Sequence, residues 1–268
     1  MDHILVLNLV IGVFAGVLAG MFGIGGGVVI VPALMLLTGL TQTQANGTSL
    51  LALLLPVGIF AVIQYYKKGF LQIKTSLIIA FGLFAGVWFG SEFALYVSPK
   101  LLKLLYSIFL LYVVWSFSNP TEFIYKSILK KEYQKPQKSQ KEIKPRTLLF
   151  LTILLGILAG VLSGMFGIGG GIIIVPFLVT FMNFDPKEAI GTSLGALLLP
   201  VGLPGVIAYY NAGDLNIGYA LTVALGLLFG AIAGAKISIS LSPVMMKRIY
   251  SIFLLIISIN FIIESLIK

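Results

Sequence analysis

The fold is decided by residues 21–27, MFGIGGG, which interrupt a long apolar segment with four glycines. The same seven letters return at residues 165–171, and each copy is followed by a Val-Pro pair at 31–32 and 175–176. Glycine in a helix interior costs about 1 kcal/mol relative to alanine. Each copy therefore predicts a helix that breaks at its glycines.

Composition places these breaks in a membrane. The chain has 268 residues, of which 59% are hydrophobic and 10% charged, and its mean hydropathy is +1.07. Soluble domains carry about 25% charged residues, so the sequence predicts a multi-pass integral membrane protein. It has no cysteine, and its one histidine is His3. We therefore expect no cofactor, no metal site and no catalytic triad.

The chain is one unit used twice. Residues 12–118 align with 156–262 at a constant offset of 144 and without a gap. This repeat predicts a membrane repeat at 1–118, a linker at 119–146 and a second membrane repeat at 147–268. The matching landmarks are GTSL at 47–50 and 191–194, LLPVG at 54–58 and 198–202, and YSIFL at 106–110 and 250–254.

The apolar runs predict about five membrane segments in each repeat. The opening run, 4–38, would be about 52 Å long as one helix, whereas the hydrocarbon layer is about 30 Å thick. We therefore split it at the glycines into a full helix, 4–22, and a short arm, 28–38, which form a hairpin that dips into or through the membrane. The remaining runs are 46–66, 71–97 and 101–118, with counterparts at 190–210, 215–241 and 245–267 after an opening run at 148–182.

Charge predicts the orientation. The linker 119–146 carries eight lysines or arginines and three glutamates, which favours the cytoplasmic side. With five segments per repeat the second repeat is inverted, and most other basic residues then also lie in the cytoplasm. The basic residues lie in loops and do not cluster on one surface of a folded domain, so we expect no nucleic-acid partner. The predicted fold is an all-α membrane protein of two inverted-topology repeats, each with a glycine-broken first hairpin.

The broken hairpins are candidate anion sites. Unpaired amides and a positive helix N-terminus at residues 25–28 would face an anion near mid-membrane. Matched breaks in two halves are typical of a transporter's binding site. Two alternatives remain for these residues. In the first, the glycines only permit a tight turn or close helix packing. In the second, they form a nucleotide-binding loop, but the sequence lacks the lysine and the serine or threonine that such a loop needs.

The hydroxyl pairs at 48–49 and 192–193 have two readings. After Gly47 or Gly191 they are preferred helix N-caps, and they could also donate to the same anion. Tyr65, Tyr66, Tyr209 and Tyr210 are expected in the interfacial belt. Stripes of glycine at every fourth position allow close helix packing within the chain, and they also allow a homodimer contact; these are Gly12, Gly16 and Gly20, Gly82, Gly86 and Gly90, Gly156, Gly160 and Gly164, and Gly226, Gly230 and Gly234.

The doubled GIGGG, Val-Pro, TSL and glycine-stripe pattern resembles the TauE/SafE family of sulfite exporters, over nearly the whole chain apart from the linker. The resemblance implies a secondary transporter that exports small sulfur-containing oxyanions, such as sulfite or sulfonates, across the prokaryotic inner membrane. By motif match it implies a substrate-binding site made of Gly25, Gly26, Gly27, Thr48, Ser49, Gly169, Gly170, Gly171, Thr192 and Ser193.

Four alternatives stand beside this function. The same features fit a passive anion channel or an importer of another small anion. A membrane enzyme or a scaffold is disfavoured, because no reactive cluster is visible and a scaffold needs no matched breaks. We therefore expect a small anion and the lipid bilayer as partners, and no enzymatic activity.

Overall fold

The computed structural model describes residues 2–55, 58–118, 145–237, 252, 255–256 and 258–263. This part of the chain is helical and contains no strand. The helices of the first repeat are α1 (Asp2–Phe22), α2 (Gly27–Thr38), α3 (Gln42–Leu54), α4 (Ile59–Lys67), α5 (Ile73–Tyr96) and α6 (Pro99–Ser118). Those of the second are α7 (Pro145–Phe166), α8 (Gly171–Phe181), α9 (Pro186–Leu197), α10 (Leu203–Asn211) and α11 (Ile217–Ile237).

Four described helices are long and apolar enough to cross a membrane: His3–Phe22, Ile73–Tyr96, Arg146–Phe166 and Ile217–Gly234. The pair α3 and α4 adds a fifth crossing if it counts as one span bent by 49°. The predictions of an all-helical chain and of several membrane segments are confirmed. The linker between 119 and 144 and most of the last run, 245–267, lie outside the described residues.

The opening hairpin agrees with the sequence and the next run does not. The predicted arms 4–22 and 28–38 correspond to α1 and α2, and α7 and α8 repeat them. The run 46–66, by contrast, was expected to be one segment, but α3 ends at Leu54 and α4 begins at Ile59. The break falls at the LLPVG motif, where Pro56 has no amide to continue a helix and Gly58 weakens it.

The chain divides into two compact units, which cut across the repeats. One unit combines Met1–Val97 with Glu142–Ile239, and the other combines Ser98–Lys141 with Ser240–Lys268. Each unit therefore contains parts of both repeats. The division at 118 and 147 stays a prediction about sequence repeats.

In the larger unit the glycine stripes hold the long helices together. A Cβ at Gly12 would lie 3.0 Å from the Gly226 Cα, and one at Gly16 would lie 3.0 Å from the Ala231 nitrogen. Residue numbers rise together along α1 and α11, so these two helices run in the same direction. The stripes of α5 and α7 pack in the same way, with Gly82 against Gly156 and Gly86 against Gly160. The stripes thus serve packing within the chain, as predicted, and a homodimer contact stays a prediction.

The outer faces of these helices are apolar. On α5 the side chains of Phe81, Trp88 and Phe89 are 78%, 60% and 70% exposed. Leaving one such side chain in water costs about 1.5–3 kcal/mol relative to burying it. Lipid removes that cost, so the exposed faces agree with the membrane segments predicted from hydropathy.

The smaller unit is held by contacts between equivalent parts of the two repeats. The Ser258 hydroxyl donates to the Ser107 carbonyl oxygen at 2.9 Å. The ring centroids of Tyr106 and Phe261 lie 6.3 Å apart, and the Lys103 ammonium lies 4.9 Å from the Phe261 centroid.

Candidate functional site

The glycine segments form two loops with nearly the same backbone. We call residues 23–26 loop A and residues 167–170 loop B. In loop A the φ angles of Gly23, Gly25 and Gly26 are 68°, 80° and 81°; in loop B the equivalent angles are 67°, 78° and 81°. Only glycine adopts this left-handed region without steric cost. The predicted break at the glycines is confirmed, and its cause is the sign of φ.

The two loops cross at backbone distance in the larger unit. A Cβ at Gly27 would overlap the Gly167 carbonyl oxygen, and a Cβ at Gly171 would overlap the Gly23 carbonyl oxygen. A Cβ at Gly25 would lie 3.8 Å from the Gly169 Cα. The structure therefore brings four of the six predicted glycines, Gly25, Gly27, Gly169 and Gly171, against the opposite loop. The nearest neighbours of Gly26 and Gly170 instead lie on the long helices, at Leu227 and Leu83.

The four hydroxyl side chains bind the opposite repeat. Ser49 Oγ donates to the Gly167 carbonyl oxygen at 2.7 Å, and Ser193 Oγ donates to the Gly23 carbonyl oxygen at 3.2 Å. Beside them, Thr48 Oγ1 accepts from the Asn216 amide at 3.1 Å. Thr192 Oγ1 accepts in the same way from the Gln72 amide at 3.2 Å. All four side chains are fully buried, and each pair clamps the loop and the next long helix of the other repeat.

The N-cap reading of these hydroxyls is wrong. α3 begins at Gln42, and its N-cap is Thr41, which forms a capping box with Gln44. α9 begins at Pro186, and the Asp185 side chain accepts from the Lys187 amide. Both helices start several residues before the hydroxyl pairs, because a capping box at Thr41 and an aspartate cap followed by Pro186 already start them there. The hydroxyl pairs lie inside the helices and are free to make tertiary contacts.

Both loops leave backbone donors unused. The amides of residues 24–28 and 168–172 donate no hydrogen bond to any other residue that the structure describes. The first donors in the short helices are Val29 and Ile173, which bond to the carbonyl oxygens of Gly26 and Gly170 at 3.0 Å. These amides lie at or beside the positive ends of α2 and α8, so ten amides near the crossing are unbonded, and no charged side chain lies among these ten residues.

A cavity of about 50 Å³ adjoins the crossing. A single water needs about 10–15 Å³ on this measure, so the space suits a solute of a few heavy atoms. Gly25 of loop A and Gly169 of loop B both lie in its wall. The other lining residues are Ala19, Gly20, Leu50, Leu53, Leu55, Gly58, Ala61, Leu194, Leu197, Leu198, Val201, Gly202, Leu227 and Ala231. These side chains are apolar, so the polar groups of the wall are backbone groups.

Two further polar residues of the crossing were not identified as site residues from the sequence. Asn46 Nδ2 donates to the Met165 carbonyl oxygen at 2.6 Å, and the Tyr209 hydroxyl donates to the Gly164 carbonyl oxygen at 2.8 Å. Both side chains have no exposed surface. The interfacial-belt reading is therefore wrong for Tyr209, although its neighbour Tyr210 is 63% exposed. Two features of the sequence could have indicated these residues. Adjacent helical residues point in different directions, so Tyr209 and Tyr210 cannot both face the interface. Asn46 aligns with Ile190 in the second repeat, so a polar residue stands where the other repeat has an apolar one.

Comparison with known proteins identifies the relatives of this chain. The family model described as sulfite exporter TauE/SafE matches residues 8–261. The probable membrane transporter protein YunE of Bacillus subtilis is 29% identical, over 97% of this chain and 98% of that protein. A probable membrane transporter protein of Methanocaldococcus jannaschii is 30% identical, over 90% and 88%. One of Haemophilus influenzae is 29% identical, over 96% and 97%. No solved structure matches this chain.

Proposed function

The chain belongs to the TauE/SafE sulfite exporter family of membrane transporters, and from that premise we propose that it exports small sulfur-containing oxyanions as a secondary transporter. The observation that carries the proposal is the crossing of the glycine loops. Ten backbone amides that make no hydrogen bond to the described chain lie in or beside these loops, next to a cavity of suitable size. Backbone amides at helix N-termini bind oxyanions without a buried cation.

In this proposal the ten site residues have two roles. The glycines Gly25, Gly26 and Gly27, with their counterparts Gly169, Gly170 and Gly171, let the backbone approach the anion and present its amides. The hydroxyl residues Thr48, Ser49, Thr192 and Ser193 fix the opposite loop, so that the amides keep their positions. Pre-organised donors of this kind lower the cost of ordering the site when the anion binds.

We also propose that the two repeats have opposite orientations. α1 and α11 run in the same direction, so their first residues lie on the same side. Thr48 bonds to Asn216, just before α11, while Ser49 bonds to Gly167, just after α7. These contacts support a position for the end of α7 near the start of α11 and of α1, so that α7 runs opposite to α1. We further propose that the membrane is the prokaryotic inner membrane, as the family resemblance implies, and that residues 119–146 lie in the cytoplasm, because they carry eight lysines or arginines and three glutamates.

The orientation is testable by single-cysteine labelling, because the chain has no native cysteine. Asp2→Cys and Asp214→Cys should both react with a membrane-impermeant thiol reagent added from outside the cell. Because α1 and α11 are parallel, the two positions lie on the same side in either topology; labelling of both only from the cytoplasmic side, in inside-out vesicles, would contradict the inverted arrangement.

The site is testable by sulfite flux in proteoliposomes with Gly25→Ala. The added methyl group would lie 3.4 Å from Leu197 Cδ1 and 3.8 Å from the Gly169 Cα, and both of these residues line the cavity. We expect the flux to fall about tenfold or more. Uptake of labelled sulfite against its gradient, driven by unlabelled sulfite inside, should occur in the parent protein and would exclude a passive channel.

Gly39→Ala is the matched control. Gly39 has a φ of 72°, so alanine causes similar backbone strain there, but its Cβ would meet no atom within 4 Å. Gly39 does not line the cavity. Equal sulfite flux in the two folded variants would refute the assignment of the site to the glycine crossing.

A further inference from the structure

Two leucines at equivalent positions in the two repeats pack against the glycine crossing. Leu53 and Leu197 occupy the same position in the two repeats, near or at the ends of α3 and α9. A Cβ at Gly25 would lie 3.4 Å from Leu197 Cδ1, and a Cβ at Gly169 would lie 3.1 Å from Leu53 Cδ1. Each leucine therefore packs on the loop of the opposite repeat, and both line the cavity.

The two leucines differ from the other leucines that touch the loops. Leu83 Cδ2 and Leu227 Cδ2 approach Gly170 and Gly26 in an equivalent way. Those two side chains are fully buried on the continuous helices α5 and α11. Leu53 and Leu197 are only partly buried, and each precedes a helix break at an LLPVG motif. Leu53 and Leu197 therefore lie where their helices end, and their side chains form part of the wall of the space beside Gly25 and Gly169.

We infer that Leu53 and Leu197 set the size limit for the transported anion. The inference rests on the proposed function and narrows its substrate class. A cavity of about 50 Å³ holds roughly three to five water-sized groups. A compact oxyanion such as sulfite fits in that space, whereas a sulfonate with a propyl chain extends into the volume that the leucine side chains occupy. Amides bind the oxyanion head, and the leucines exclude the tail.

The test measures the flux of propanesulfonate relative to that of sulfite in proteoliposomes. The parent protein should carry sulfite and discriminate against propanesulfonate. Leu53→Ala or Leu197→Ala removes the branched end of one leucine, and each should raise the propanesulfonate-to-sulfite ratio about tenfold or more. Because alanine could impair folding, Leu53→Val and Leu197→Val are measured in parallel and should raise the ratio by a smaller factor.

Leu34→Ala is the matched control. Leu34 is a fully buried leucine on α2, it does not line the cavity, and its loss should leave the ratio unchanged. An unchanged ratio in the folded Leu53 and Leu197 variants, or an equal rise with Leu34→Ala, would overturn the inference. So would a parent protein that carries propanesulfonate as fast as sulfite, which would leave the proposed function intact. A parent protein that carries neither anion would instead refute the proposed function, and the size limit with it.

Discussion

Loop A and loop B have the same backbone but different neighbours. Their glycine φ angles agree within 2°, and a serine of the opposite repeat donates to the first carbonyl of each loop. Loop B, however, packs against Asn46, with a Cβ at Gly167 2.7 Å from the Asn46 Cα. Loop A packs against Ile190 at the equivalent position, where a Cβ at Gly23 would lie 2.9 Å from Ile190 Cγ2.

This difference between the loops shows which contacts are needed to hold the crossing together. Two kinds of contact occur in both loops: the close glycine backbone contacts and the serine hydrogen bonds. They are enough to hold loop A, whose neighbour Ile190 is apolar. Asn46 adds one donor to the Met165 carbonyl oxygen, at the end of α7 just before loop B, but its Oδ1 is buried and has no hydrogen-bond partner among the residues that the structure describes. An unsatisfied buried acceptor costs about 1–3 kcal/mol. Asn46 therefore adds little net stability, and it makes the two sides of the crossing chemically distinct.

The largest expected effect comes from the closest contacts at the crossing, which Gly27 and Gly171 make with the opposite loop. In Gly27→Ala or Gly171→Ala the new Cβ would overlap a backbone carbonyl oxygen of the other loop, and a backbone atom cannot move without displacing that loop. We expect each variant to lose about 3 kcal/mol of stability, measured as the loss of folded protein on heating in detergent.

Gly218→Ala is the control for those two variants, because its Cβ would lie 3.6 Å from its nearest neighbour and should have almost no effect. A large loss for Gly27→Ala with none for Gly171→Ala would show that the crossing is not equivalent on its two sides.

An intermediate effect is expected at the serine clamps. Ser49→Ala leaves the buried Gly167 carbonyl without its donor at 2.7 Å, whereas the Ser193 bond is longer, at 3.2 Å. We expect Ser49→Ala to cost about 1–2 kcal/mol and Ser193→Ala to cost less. Melting temperatures of both single variants and the double variant test this order; because the loops touch, the two effects should not add. The reverse order would mean that the bond lengths do not reflect the strength of the clamps.

The smallest effect is expected where the repeats differ. Asn46→Ile gives the first repeat the residue that the second already has at position 190. It removes the donor to the Met165 carbonyl oxygen and the unpartnered Oδ1 together, so the melting temperature should correspond to a loss of about 1 kcal/mol or less. A loss as large as that of Gly27→Ala would show that Asn46 is needed to hold loop B.

The helix breaks and the opening hairpin were predictable because their cause is local. Gly23 to Gly27 combine a helix-weakening sequence with a backbone that glycine alone adopts easily, and the same letters appear twice. The break at residues 55–58 was missed, although Pro56 and Gly58 stand in the sequence, because an apolar run was taken for a continuous helix. The caps at Thr41 and Asp185 were missed for the same reason, since the helices begin before their apolar runs.

By itself, the sequence determined that this protein is an α-helical membrane protein, that it is built from one repeat used twice, and that each copy breaks at its glycines. Composition, alignment and backbone sterics need no knowledge of distant contacts. Only the tertiary structure decided that Ser49 serves Gly167, that Tyr209 is buried at Gly164, and that Leu53 stands over Gly169. Such contacts join residues that are 118 and 45 positions apart in the two hydrogen bonds, and they depend on which helix faces pack together, which local patterns do not specify.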